Sequence, residues 1–412
     1  MKKIFLFVFA GIAINGYCQA YIKKFVQDNT FPIANINIDS KDYSDLKPIG
    51  DAIGNARIVM LGEQDHGDGS AFLAKTRLIK YLHEHKGFNV LAFESDFFAL
   101  TKGWDDLLKQ KNVIDTFLRK NIYSIWTSCD AAKDIFYNYI PNSFNTPTPL
   151  QITGFDNQLL GDFSRKRLVK TLDSISEVNH ILNKDEYIQS VENLIDNFTS
   201  LKKESVEFYT LIGNNLKKFS TILEQKQIDT YWIRIVESLV VLNNRALNDK
   251  GFNLERDKQM ADNLIWLSNN KYYDEKIIVW AANAHVIKYE GVLNYTKRIS
   301  YPYHSMGARF VNIKNSPETY IIGFVSHNGV TNRLDANQKY DLAKPEKNGF
   351  ENWINNNFDY AFVDFKKYNN SDSIVEPFDM KIGIFNKSLK YPWNKTFDGI
   401  FFIRNMRLCN PL

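Results

Sequence analysis

Cysteine is scarce: three occur in 412 residues, and Cys18 falls in an apolar leader. There is no CxxC pair, so redox or zinc chemistry built on that spacing is excluded. Cys129 and Cys409, the two that follow the leader, lie far apart in sequence. One disulfide or two free thiols both fit them. Long apolar runs are lacking as well, since no stretch after the leader is long enough to span a membrane. The chain has no G-x-S-x-G elbow, no H-E-x-x-H and no phosphate loop, which leaves serine-nucleophile chemistry without a motif. Nor does one sign of charge dominate. Lys and Arg number 51 against 47 Asp and Glu, a net charge of +4 to which Lys2 and Lys3 contribute two. With the lysines dispersed, this is no nucleic-acid footprint. No internal repeat or low-complexity tract is visible.

What is present begins with the leader. Met1–Ala20 carries Lys2 and Lys3, an apolar run over Ile4–Ile14, and the small-residue end Asn15-Gly16-Tyr17-Cys18-Gln19-Ala20. That order describes a cleaved secretory signal. The mature chain is expected to be exported, periplasmic or secreted, with no membrane span. About 390 residues remain, enough for one large domain with an insertion or for two domains. An apolar fraction of 44% with 30 Phe supplies a substantial core.

The stretch Arg57–Leu100 organises the rest. Ile58–Leu61 reads as a buried strand, followed by Glu63-Gln64-Asp65-His66 and by Gly67 and Gly69. Phe72, Leu73, Leu78, Ile79 and Leu82 then recur at helical spacing up to Lys86-Gly87. Val90–Phe93 is a second strand, ending on Glu94. Further strands are expected at Leu150–Phe155 (with Asp156 at its end), Ile277–Trp280 (leading to Asn283-Ala284-His285), Tyr320–Val325, Tyr360–Val363 and Ile400–Ile403. Thr101–Tyr139 reads as mixed helix, with Trp126 and Tyr137 as core or cleft wall. From Phe163 to Asn248, Leu, Ile and Val recur every three or four residues with almost no Gly or Pro, a set of amphipathic helices. Leu254–Ser268, with Arg256 and Asp257 near its start, is another. This alternation predicts an α/β fold with a mostly parallel central sheet flanked by helices. The expected core is 21–162 with 249–412, and 163–248 is an inserted helical cap.

Ionisable residues recur where these strands end: Glu63 with His66, Glu94, Asp156, and His285. Buried polar groups are costly unless something uses them, and ligands of parallel sheets bind at the carboxyl ends of strands. Two chemistries fit. His66 is a general base for water, oriented by Glu63 or Glu94, with His285 stabilising an oxyanion or protonating a leaving group. Alternatively, Glu63, His66, Glu94 and His285 ligate zinc, manganese or iron. Glu63-x-x-His66 and Glu177-x-x-His180 each match half of a di-iron motif, but the first follows a strand and the second reads as solvated surface. A non-catalytic binder of a large apolar ligand is a third reading. His83 and His85 read as solvated cations at a helix end, and His304 and His327 as loop or strand-end residues. Ser70 reads as a helix start and Ser305 as a loop residue.

Leu61-Gly62-Glu63-Gln64-Asp65-His66-Gly67, then Arg77-Leu78-Ile79, Gly87-Phe88 and Phe93-Glu94-Ser95-Asp96 resemble the erythromycin esterase family. Gly154-Phe155-Asp156, Arg256-Asp257-x-x-Met260-Ala261-x-Asn263, Asn283-Ala284-His285 and Ser305-Met306-Gly307 match its later motifs in order. The resemblance implies hydrolysis of the macrolactone ester of 14-membered macrolides, hence macrolide resistance, by histidine-activated water with no acyl-enzyme and no cofactor or metal. Carried over, His66 is the base, Glu63 and Glu94 the essential carboxylates and His285 the second histidine. Lys75, Asp156, Asn283, Arg256 and His304 are expected to bind substrate. Two positions depart from the family pattern. Ala282 stands where a further histidine is frequent. Lys75 stands where arginine is, keeping the charge but losing the bidentate fork. The family also includes succinoglycan-biosynthesis-like relatives.

Overall fold

The computed structural model describes residues 20–412 apart from 203, 248–251, 289–290, 297–298, 334–337, 372–376 and 383–386; the side chains of 252–253, 291–296 and 299–303 are likewise outside the description. The expected signal segment, Met1–Ala20, lies outside the described residues except for Ala20.

In chain order the strands are β1 (Thr30–Ile33), β2 (Ile58–Leu61), β3 (Phe88–Asp96), β4 (Gln151–Asp156) and β5 (Lys276–Trp280). A hairpin follows, β6 (Gly291–Thr296) and β7 (Ile299–Tyr303), then β8 (Thr319–Arg333), β9 (Gln338–Asp341) and β10 (Tyr360–Asp364). A second hairpin, β11 (Phe378–Lys381) and β12 (Ser388–Tyr391), precedes β13 (Gly399–Met406). Nine strands form one sheet in the order β1-β10-β13-β8-β2-β5-β3-β4, with β9 paired to β8. From β13 to β4 every neighbouring pair is parallel. β1, β10 and β9 add antiparallel edges.

The apolar runs are continuous because both faces of the sheet are covered. Ile58, Met60, Val90, Ala92, Ile277 and Val279 face one core. Val59, Leu61, Leu91, Phe93, Ile278 and Trp280 face the other, against the Gly69–Lys86 helix. That helix ends on Gly87 at φ 72°, a left-handed stop that glycine takes without a side-chain clash. Between Thr101 and Tyr139 the chain breaks into short helical pieces around one longer helix, Lys111–Asn121.

The helical stretch resolves into Asp162–Val178, Lys184–Ser200, Val206–Gln225 and Thr230–Leu247, followed by Phe252–Trp266. Leu168, Leu194, Leu216, Phe219 and Leu239 are fully buried in the same core as the sheet residues. Those helices therefore bury their apolar faces in a cluster continuous with one face of the sheet.

Two histidines illustrate the limit of local pattern. His85 is exposed as expected, but His83 is buried, Nδ1 meeting Tyr139 Oη at 2.8 Å and Nε2 meeting the Thr148 carbonyl at 2.9 Å. Burial lowers its pKa, so it is no solvated cation. Ser305 caps the Met306–Asn312 helix, its side chain accepting from Ala308 N.

Candidate active site

The sheet order β2-β5-β3-β4 brings four strand ends side by side. Glu63 and His66 follow β2; Ala282, Asn283 and His285 follow β5; Glu94 lies near the end of β3; and Asp156 closes β4. Glu94 is placed by an irregularity. Phe93 pairs with Gly154 and Asp96 with Asp156, so two residues of β3 oppose one of β4. Such a bulge re-aims a side chain. It requires glycine across from it, because a Cβ on Gly154 would meet the Asp96 and Ser95 carbonyls at 2.4 and 2.5 Å.

Glu63 is fully buried. One of its oxygens, Oε1, accepts from Trp126 Nε1 at 3.1 Å and faces His66 Nδ1 at 3.3 Å. The other, Oε2, is paired with Lys75 Nζ, which also donates to the Ala281 carbonyl at 3.3 Å. Trp126 meets the imidazole of His66 edge-on, ring centres 5.7 Å apart at 90°. The His66 side chain keeps 23% of its surface exposed, and Nε2 has no protein hydrogen-bond partner among the described residues. Burial works against its protonation, but Glu63, Glu94 and Asp65 outweigh it, so its pKa is raised above 6.5.

The second half centres on Arg256, from the first turns of the Phe252–Trp266 helix. Its Nε and Nη2 hold Asp156 at 3.0 and 2.6 Å, and Nη2 also reaches Glu94 Oε1 at 2.7 Å. The other Glu94 oxygen accepts from the Ala282 N–H at 3.1 Å. Thus Ala282, one of the two positions that depart from the expected pattern, contributes a backbone donor to the carboxylate. His285 lies between two acids, Nδ1 at 2.5 Å from Asp257 and Nε2 at 3.2 Å from Glu94. Arg256 Nη1 also lies 3.2 Å from that Nε2; burial opposes the charge of His285, yet the two carboxylates push its pKa up to about 10. Burial raises and His285 and Arg256 lower the Glu94 pKa, and the cations win by a wide margin. Tyr123 Oη donates to Asp156 at 2.9 Å and its ring stacks on Trp126, joining the halves.

His66, Glu63, Glu94 and His285 therefore belong to one electrostatic cluster. Of the residues expected to contact substrate, Lys75 and Asp156 are fully buried and Arg256 is 8% exposed. Asn283 uses its side chain to clamp Phe324, donating to the carbonyl at 2.8 Å and accepting from the N–H at 3.2 Å. His304 precedes the Met306–Asn312 helix, its carbonyl accepting from Arg309 Nε at 3.3 Å, beside side chains outside the description. Sequence reading placed Trp126 in the core or cleft wall without a partner and did not assign Tyr123 or Asp257 to the site. Asp257 had a usable signal, its adjacency to Arg256; Tyr123 had none. Among the described residues, metal-ligand spacing occurs only at Cys129, Asp130 and Cys409, and there the two sulfurs are bonded to each other.

A parallel α/β sheet with an acid–base cluster across its carboxyl edge defines the class. The erythromycin esterase family model matches residues 83–406, and the chain belongs to that family of hydrolases. It is 25% identical to erythromycin esterase type II of Escherichia coli over 92% of this chain and 97% of that one. With YbfO of Bacillus subtilis (strain 168) it shares 28% identity over 76% of this chain and 74% of that protein. A crystal structure of a succinoglycan biosynthesis protein superposes at TM-score 0.71, with 20% identity, covering 95% and 98% of the two chains. A variant of the erythromycin esterase EreC in its open conformation gives 0.70 at 15% identity, covering 92% and 98%.

Proposed function

We propose that this protein is a carboxylic ester hydrolase that opens the lactone of a macrolide by attack of water activated by His66. The observation that carries the reading is the asymmetry of the two histidines. His66 is partly exposed and backed by one buried carboxylate, whereas His285 is enclosed by two. Water bound at His66 Nε2 gives up a proton as its oxygen attacks the acyl carbon, and Glu63 steadies the resulting imidazolium. The carbonyl oxygen becomes an oxyanion facing the positive charge of His285 and Arg256. When the ester C–O bond breaks, the proton on His66 passes to the departing alkoxide, leaving acid and alcohol. In this scheme His285 acts by charge: with its pKa pushed up to about 10 it keeps its proton while the oxyanion forms, and His66 delivers the proton it took from water.

Lys75, Asp156 and Asn283 serve as internal supports in this scheme, and Arg256 combines support with charge. The helical region 163–248 forms a cap beside the cleft, suited to a large apolar substrate. The same proposal places the mature protein outside the cytoplasm, periplasmic or secreted, which the Cys129–Cys409 disulfide supports. A metal-dependent route draws less support, because Glu63 and Glu94 each already face cations or N–H donors on both oxygens.

The test is mass spectrometry of erythromycin incubated with the mature protein. Addition of one water, with heavy oxygen from labelled water entering the new carboxylate, is expected. His66→Ala should lower turnover by about 10²–10⁴-fold while the protein still folds. Near wild-type ring opening by that variant would reject the assignment.

A further inference from the structure

The loop that carries His66 is held from outside by the end of the chain. Cys409 N–H donates to the Gly67 carbonyl at 2.9 Å. Ser70 N donates to the Arg407 carbonyl at 3.2 Å, and Arg407 N returns a bond to Ser70 Oγ at 2.9 Å. A Cβ on Gly67 would sit 1.8 Å from the Asn332 carbonyl, so only glycine admits this approach. Asn332 in turn donates to the Cys409 carbonyl at 2.8 Å.

The other side of the same tail pairs with residues 128–130. Asp130 N donates to the Asn410 carbonyl and Leu412 N to the Ser128 carbonyl, both at 2.9 Å. The Asp130 carboxylate also holds Arg407 at 2.9 Å and the Asn410 side chain at 3.1 Å. The Cys129–Cys409 disulfide lies in the middle of this ladder. Three residues before Cys129, fully buried Trp126 gives its indole N–H to the Glu63 oxygen that faces His66. We infer that Trp126 is a positioning residue for the Glu63–His66 pair, and that the disulfide keeps it in register with the His66 loop. This rests on the reading of His66 as the base.

The physical reason is competition for one oxygen. Lys75 occupies Glu63 Oε2, so Oε1 alone faces the imidazole, and Trp126 takes part of its accepting capacity. The indole edge also limits how the imidazole can turn. Without the indole, Glu63 binds His66 more strongly, and the ring gains freedom to swing. The base becomes more basic but is aimed less well. A small misplacement of a reacting group is expensive in rate. Substrate affinity should be little affected, because Trp126 is fully buried. The charged groups acting on His66 are Glu63, Glu94 and Asp65, and Trp126→Phe leaves all three in place.

Two variants and one wild-type measurement test this. In Trp126→Phe, kcat should fall roughly ten- to a hundredfold with KM nearly unchanged, and the NMR titration midpoint of the His66 imidazole should move to higher pH. Cys129→Ser/Cys409→Ser should lower kcat and displace the His66 midpoint as well. In wild-type protein the Trp126 indole proton should shift with the His66 midpoint, a readout that requires no variant to fold. An unmoved His66 midpoint with unchanged kcat in Trp126→Phe overturns the positioning role, as does an indole proton indifferent to the His66 titration. The same null result in the double serine variant overturns the tether. The NMR readouts need no turnover, so a wild-type protein that cleaves no ester defeats the reading of His66 as base while leaving the coupling measurable.

Discussion

His66 and His285 are one residue type put to opposite uses by their neighbours. One hydrogen-bonded carboxylate, with Glu94 and Asp65 acting from further off, behind a partly exposed ring gives a base displaced above 6.5. Two carboxylates around a ring 13% exposed push the pKa up to about 10. The rate of ester hydrolysis should therefore rise with pH through a midpoint above 6.5, as His66 becomes neutral, and fall toward about 10, as His285 loses its charge. Asp257→Asn removes one of the two carboxylates on His285, so the alkaline limb should move toward neutral pH while the acid limb stays. A pH–kcat/KM profile of both proteins checks this, and an unmoved alkaline limb contradicts it. The stability consequence has a definite sign. His285 has its pKa raised on folding, so its contribution is fully present below about 6.5 and is lost as pH rises through about 10. At this scale the four central residues were legible, because each directly follows or ends an apolar run. Trp126 was not, because sixty-three residues and several short helices separate it from the glutamate it serves.

Among the elements, β3 does the most to assemble the site. Its last residues leave regular pairing at Phe93, which swings Glu94 toward Arg256 and His285. Gly154 on β4 makes room for the two carbonyls of that irregularity. Gly154→Ala places a methyl group against backbone that cannot move without shifting Glu94. Destabilisation of about 1–3 kcal/mol is expected, with a fall in kcat larger than that of a neutral core substitution of similar cost. Urea unfolding followed by circular dichroism, alongside turnover, separates the two effects; an alanine variant with wild-type stability and rate contradicts the account. The parallel strands were readable from sequence because burial on both faces leaves unbroken apolar runs. Their lengths were not: β8 continues from Val325 to Arg333, held first by β13 as far as Gly329 and then by β9 over Val330–Arg333, so that pairing replaces apolar burial as the reason to stay extended. The bulge itself has no local signature beyond the glycine opposite it.

At the level of the whole molecule, one sheet separates two cores, and the helices from Asp162 to Leu247 extend the core on one face. The chain's two distant thirds are then locked together by a single covalent link. Cys129–Cys409 closes a loop with a sequence separation of 280 residues. In the sequence, neither pairing nor two free thiols could be preferred, because the partners become neighbours only after β2 and β13 have taken their places near β8. A closure that long removes a large share of the freedom of the unfolded chain, worth roughly 5–6 kcal/mol on the chain-entropy account, where removal of a native disulfide typically costs about 2–5 kcal/mol. Cys129→Ser/Cys409→Ser should therefore unfold at lower urea concentration than wild type, with a steeper dependence on denaturant because its unfolded chain exposes more surface. Adding reductant to the wild-type protein should lower its midpoint toward that of the variant and leave the variant unmoved. Equal midpoints for oxidised wild type and the serine variant would mean that the bond only fixes local geometry around Trp126. A lower midpoint accompanied by intact turnover would mean the reverse, that it stabilises the fold without shaping the site.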